Sequence, residues 1–149
     1  MRGQTEYGLS VDPDTLYWWM NQSDGARQPL TTENKILLKD MCDSLQRFIY
    51  GIDSSGERLR LWGNGASYDN AIIRLAFRQV GKEFPIKFWN DRDMRTIVGF
   101  YPRQLQEQWR KTNLRSGTYH NALDDAKHQV KYCSHILQAG LQLLHYSGF

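Results

Sequence analysis

No block of lysine and arginine stands out in this chain, and no stretch of about 18 consecutive apolar residues occurs. The first absence removes the sequence footprint of a duplex binder. The second removes a membrane-spanning helix, and no charged-then-apolar leader opens the N-terminus. Cysteine is scarce: Cys42 and Cys133 are the two present, and neither sits in a C-x-x-C or in a Cys/His cluster of zinc spacing. They are expected as reduced thiols of a core. Internal repeats and low-complexity segments are also missing.

What remains is an ordinary globular composition rich in rings, with five Trp, eight Tyr and six Phe. A length of 149 residues predicts a single domain over 1–149 with a core large enough to fold without staples. The net charge of +3, from 19 Lys+Arg against 16 Asp+Glu, permits a polyanionic partner without demanding one. The expected location is the cytoplasm, with no membrane partner.

Residues 1–12 are polar and Gly-containing, and read as a frayed strand or a tail. Asp12 can N-cap and Pro13 suits a first helical position, so a helix is expected over "DTLYWWMNQS". "DGARQPLT", 24–31, reads as a loop, after which Thr31 or Thr32 opens a long helix with Leu37, Met41, Leu45 and Phe48 at helical spacing, and Leu38, Cys42 and Ile49 alongside. "RLRLWG", 58–63, alternates and stops at glycine, as a short strand does. "NAIIRLAFRQVG" predicts a helix with Ile72, Ile73, Leu75, Ala76 and Val80 inward and Gly81 as its stop. "FPIKFWN" reads as a second strand, and "DRDMRTIVGF" as a short helix capped by Asp91 or Asp93. Residues 101–119 carry the weakest pattern, with Trp109 their anchor. A last helix is expected from His120 to about Leu144, through Ala122, Ala126, Val130, Cys133, Ile136, Leu137, Leu141 and Leu144. Strand–helix alternation after residue 57 predicts an α/β fold, yet only two strands are legible, fewer than a doubly wound sheet needs.

Three residues stand where chemistry is usually placed. Asp69 follows "GNGASY" at the carboxyl end of a strand, the position where open α/β sheets put their sites. Taken alone, a helix N-cap explains it without any chemistry and is the plainer reading. His120 and Asp125 lie at the start of the last helix, with Asp124 as a solvated neighbour. An imidazole on a loose helix start and a carboxylate one turn inside suit a general base and a metal ligand; a capped, solvated helix start is the plainer alternative.

The two motifs together, Asn64-x-x-x-Tyr68-Asp69 and His120-x-x-x-x-Asp125, resemble motifs II and III of the DEDDh 3′–5′ exonucleases, a superfamily with a ribonuclease H-like fold. "TLYWWMNQS", "WGNGASYDNAI", "FWNDRDMRT" and "HNALDDAKHQ" are similar, in order, to the signatures of a small bacterial and phage branch, the 3′–5′ exoribonuclease-like proteins, over roughly residues 12–140. The resemblance implies an α/β, ribonuclease H-like mixed sheet flanked by helices. It implies 3′-end hydrolysis of single-stranded RNA or DNA, in a bacterial or phage-infected host cytoplasm. It further implies two Mg²⁺ or Mn²⁺ ions about 3.5–4 Å apart, with oxygen ligands. Asp69 and Asp125 would be two of four acidic ligands, and His120 the base that takes the proton of the attacking water. Asn64, Tyr68 and Arg92 complete the candidate substrate-binding set; Asn64 and Tyr68 shape the turn that presents Asp69, and Tyr68 is expected to pack.

The superfamily's first motif, Asp-x-Glu on a central strand, has no counterpart here. Asp12-Pro13-Asp14 and Asp91-Arg92-Asp93 are the nearest strings, but both end in Asp where the motif has Glu; the first sits at a helix cap, and the second belongs to the "FWNDRDMRT" signature in a supporting role. Half of the implied carboxylates are therefore missing, and the absent strands would leave an open sheet edge and an exposed apolar face. A record that begins late, a degenerate remnant, and a strand supplied by another chain are the competing explanations. They leave an inactive nucleic-acid-binding or protein-interaction module, or a homodimer, as rivals to the enzyme. Trp18 and Trp19 are read as packing before base stacking. Arg92 and Arg95 are weak phosphate candidates. His128, His135 and His145 are structural or solvated, and "RQLQEQWRKTNLR" is a weak candidate border of a substrate entrance.

Overall fold

Asp12 does cap the first helix. Its carboxylate accepts from the N–H of Asp14 at 3.0 Å, with Pro13 at the first helical position of α1 (Pro13–Met20). The structure is a computed structural model that describes residues 10–32, 35–112 and 115–146, the last six for their backbone. The expectations for the tail before residue 10 and for the Leu141, Leu144 and His145 side chains lie outside the described residues. The chain divides into two compact units, Met1–Arg92 and Asp93–Phe149.

In the first unit, "DGARQPLT" is not a loop but a helix, α2 (Asp24–Thr31), capped by Ser23, whose Oγ accepts from the Ala26 N–H at 3.3 Å. The expectation failed because Gly25 and Pro29 outweighed the cap in the reading. α3 (Leu38–Ile52) begins later than predicted, with Leu37 exposed at its N-cap. β1 covers Leu61–Gly63, the end of the strand predicted over 58–63, and α4 covers Ala66–Gln79. α4 ends as its sequence predicts: Gly81 N–H donates to the Arg78 carbonyl and Lys82 N–H to the Phe77 carbonyl, the two bonds of a Schellman stop.

The strand expected at "FPIKFWN" is displaced. Pro85 has no N–H to give a ladder, and residues 84–87 run irregularly into a 3₁₀ turn, Phe88–Asn90. β2 follows at Asp91–Asp93, beside β1 in a parallel two-stranded sheet. Asp91 is therefore a strand residue, and Asp93 is the cap of the next helix. The architecture is mixed α/β, mostly helical, with a far smaller sheet than the expected mixed sheet flanked by helices, and it is compatible with an α/β nuclease fold.

Cys42, Ile49, Phe77, Phe84 and Ile86 form the core of this unit, with Ile73, Ala76 and Val80 packed against it. Ile72 and Leu75, expected inward, are exposed, and Phe77, not singled out in the sequence, is fully buried and edge-on to Phe84 at 5.0 Å. Arg74 secures the irregular stretch. It donates to Asp91 Oδ1 at 2.6 Å and to the Ile86 carbonyl at 2.7 Å, and its guanidinium lies 5.0 Å over the Phe84 ring. Beside β1 lies an apolar groove of about 380 Å³, walled by Leu45, Phe48, Ile52, Leu59, Leu61 and Ile73. Among the described residues β1 has one strand neighbour, β2.

The second unit contains α5 (Met94–Gly99), α6 (Arg103–Thr112) and α7 (Ala122–Tyr146). α5 is the predicted short helix, with Asp93 accepting from the Arg95 N–H at 2.8 Å. α6 occupies what the sequence left irregular, and Trp109 is its buried anchor, edge-on to Tyr101 at 4.9 Å. Met94, Trp109, Tyr132, Cys133 and Ile136 form the core. Val130 and Leu137, expected inward, face out. Both cysteines are free and buried, and burial raises both thiols above their ordinary range.

Candidate functional site

The loop between β1 and α4 positions Asp69. Gly63 lets α4 approach the strand: a Cβ there would fall 2.6 Å from Asn70 Oδ1 and 3.2 Å from Asp69 Cβ. Asn70 is buried, and its Nδ2 donates to the Leu61 carbonyl at 3.3 Å, fastening the helix start to β1. Asp69 lies in the first turn of α4, where a negative charge suits the helix dipole. Its Oδ2 accepts from the Asn64 N–H at 2.9 Å. Asn64 thus shapes the turn as expected, through its backbone. Asp69 is exposed at the rim of the apolar groove, so its carboxylate remains open to solvent. Tyr68 is 70% exposed, which corrects the expectation that it packs; its backbone N–H donates to the Gly65 carbonyl at 2.8 Å.

Arg92 turns back on the chain, donating to the carbonyls of Trp89 at 3.0 Å and Asp91 at 2.8 Å. That geometry favours a supporting role over a phosphate contact. Asp91 is taken by Arg74 and Asp93 by its helix cap.

In the second unit the last helix starts at Ala122, two residues later than expected. Asn121 is the cap the sequence reading missed, with Oδ1 accepting from the N–H of Leu123 at 3.1 Å and of Asp124 at 3.2 Å. Its signal was present: Asn is among the strongest N-cap residues and stands just before Ala122. His120 precedes the cap with φ 65°, the one positive φ outside glycine among the described residues. It is exposed, with its ring 6.4 Å from that of Tyr119.

The preceding loop is tied to the helix. Asp124 Oδ2 accepts from the Thr118 N–H at 2.8 Å, so Asp124 is not the solvated neighbour expected. Gly117 has φ +94°, and a Cβ there would lie 2.4 Å from the Asp124 carboxyl carbon. The picture of an imidazole on a loose helix start gives way to one carried on a bonded loop.

Asp125 forms an ion pair with Arg115, whose side chain is 13% exposed. Arg115 also donates to the Thr118 carbonyl at 3.2 Å and lies 4.1 Å over the Tyr119 ring. Arg115 is the residue that the sequence reading missed; its partner lies ten positions on, and no local pattern marks the pairing. The pair runs from Arg115 Nη2 to Asp125 Oδ1, and Arg115 Nε is buried without a hydrogen bond. His128, stacked on Tyr132 at 6.4 Å, is lowered by burial and then by the nearby Arg115 and Lys131 charges.

Asp69 and Asp125 are oxygen donors, the type a hard cation takes, but Asp125 Oδ1 is already engaged by Arg115. Their number does not suit a pair of ions: among the described residues no group of three or more His, Cys, Asp or Glu side chains converges. Asp69 lies in the first unit and Asp125 in the second.

The model of the 3′–5′ exoribonuclease Rv2179c-like domain matches residues 1–137, taking in both loops. No curated protein and no solved structure matches the chain. The chain belongs to the 3′–5′ exoribonuclease Rv2179c-like family.

Proposed function

We propose that this chain is a DEDDh-type, ribonuclease H-like 3′–5′ exonuclease that removes nucleotides from the 3′ end of single-stranded RNA. The observation that carries the reading is the family match across both motifs, Asn64 to Asp69 and His120 to Asp125. His120 is the general base: an imidazole is the side chain suited to proton transfer at working pH, and its exposed position gives water access to the ring. It accepts a proton from water as the water oxygen attacks phosphorus; the bond from phosphorus to the leaving 3′ oxygen breaks, and that oxygen takes up a proton. Asp69 and Asp125 are the proposed ligands of Mg²⁺ or Mn²⁺, which would neutralise charge on the phosphate. Donors beyond these two are needed for two ions, since a pair of like charges is costly to hold with two carboxylates.

A second reading is favoured by the same shortage. With Asp125 paired to Arg115 and Asp91 to Arg74, the chain would bind single-stranded nucleic acid without cutting it. Measuring RNA cleavage and RNA affinity for the protein and for its His120→Ala and Asp69→Asn variants separates the two. Cleavage lost in both variants with affinity retained supports the enzyme. Affinity without cleavage in the parent protein supports the binding module.

A further inference from the structure

We propose that Tyr119 is a stacking platform for a nucleobase beside the scissile phosphate, held ready by Arg115. This rests on the proposed reading of the chain as a nuclease with His120 as its base, and it adds a substrate-binding residue to that site. Tyr119 is 63% exposed, and an exposed side chain without support changes rotamer rapidly. This ring has support. The Arg115 guanidinium lies 4.1 Å over it, a cation–π contact. Arg115 is held in turn: its side chain is 13% exposed, it pairs with Asp125 of α7, and it donates to the Thr118 carbonyl at 3.2 Å. The ring is thus braced from the helix while most of its surface stays in solvent. A ring already fixed in one orientation loses little entropy when a flat partner stacks on it.

Charge and position name the partner. The Asp93–Phe149 unit has seven Lys and Arg against four Asp and Glu, the whole of the chain's excess of +3. Arg103, Arg110 and Lys111 are exposed along α6 of that unit. An exposed ring within a cationic unit fits the bases and phosphates of a single strand. Tyr119 immediately precedes His120, and the two rings are 6.4 Å apart. A base stacked on the first therefore carries its own phosphate toward the second. Bases inside a duplex are already stacked on their neighbours, so the platform favours an unpaired 3′ end.

The test measures binding of the full chain, by fluorescence anisotropy in EDTA, to a short single-stranded RNA labelled with fluorescein at its 5′ end. A second probe is the same RNA with its last two nucleotides lacking bases. Tyr119→Ala should weaken binding of the intact RNA about tenfold, within the range that one base–aromatic stack supplies. Tyr119→Phe keeps the ring and should bind as the parent protein does. The base-free end should bind the parent as weakly as the intact RNA binds Tyr119→Ala, and Tyr119→Ala should lose nothing further on it. Affinity for the intact RNA that is equal in parent and Tyr119→Ala would overturn the platform and leave the nuclease reading standing. Equal weakening of both probes by Tyr119→Ala would show that the ring shapes the loop rather than receives a base, and would also overturn the platform. A parent protein that binds neither probe would overturn the nucleic-acid reading, and the platform with it.

Discussion

Asp43 and Asp125 are both aspartates paired with a cation. Asp43 is bonded to Lys82 on one side and to Lys39 at 3.0 Å on the other, and Lys82 also reaches Gln46 at 2.9 Å. The Lys82 hydrogen bond, then that of Lys39, holds its carboxyl down at about 2. The folded value lies below the ordinary 3.8, so its stabilisation is complete above the ordinary value and fades as pH falls toward the folded one. Asp43→Asn should make the loss of stability between about pH 4 and pH 2 shallower in urea unfolding; an unchanged acid limb would contradict the pairing. At this scale the sequence was legible wherever one residue's stereochemistry decided the outcome. Asp12, Pro13, Asp93 and Gly81 behave as their side chains require. Arg115 was not legible, because its role depends on a partner in another segment.

Elements were read well where periodicity was strong and poorly where a proline intervened. α4 was placed from its pattern, although its inward face is turned by about one residue, toward Phe77 rather than Ile72 and Leu75. The reason is that Asn70, a polar residue, shares the buried face, and an apolar count overlooks it. Phe77→Ala should cost about 3–5 kcal/mol in chemical denaturation, the range for a large buried ring. Ile72→Ala, on the exposed side, should cost far less, and equal losses would show that the face is misassigned. The loop before α7 makes a second prediction. Gly117→Ala puts a methyl group against the Asp124 carboxylate at a left-handed φ. It should break the Thr118–Asp124 bond and lower cleavage through His120 more than it lowers RNA affinity. Retention of full activity would show that the loop does not set the base.

At the scale of the molecule, the described residues carry a small parallel sheet with an apolar groove beside β1. Two strands were legible in the sequence and two are described. The sequence reading overestimated the sheet because an apolar, aromatic run such as "FPIKFWN" meets strand preference even when Pro85 interrupts the ladder. Phe48 and Ile52, more than half exposed at the groove, give it an apolar surface that water wets poorly. Serine at both positions should reduce binding of an apolar fluorescent probe while leaving the melting temperature nearly unchanged; unchanged probe binding would place the apolar surface elsewhere. Among the described residues no helix is long and apolar enough to cross a membrane.

The central claim is that the chain trims RNA from its 3′ end. The most direct measurement incubates it with single-stranded RNA labelled at the 5′ end, with Mn²⁺ or Mg²⁺, beside the His120→Ala variant. The account predicts a ladder that shortens progressively from the 3′ end and disappears in the variant. Intact RNA from protein shown to be folded, or a ladder that survives His120→Ala, would contradict it.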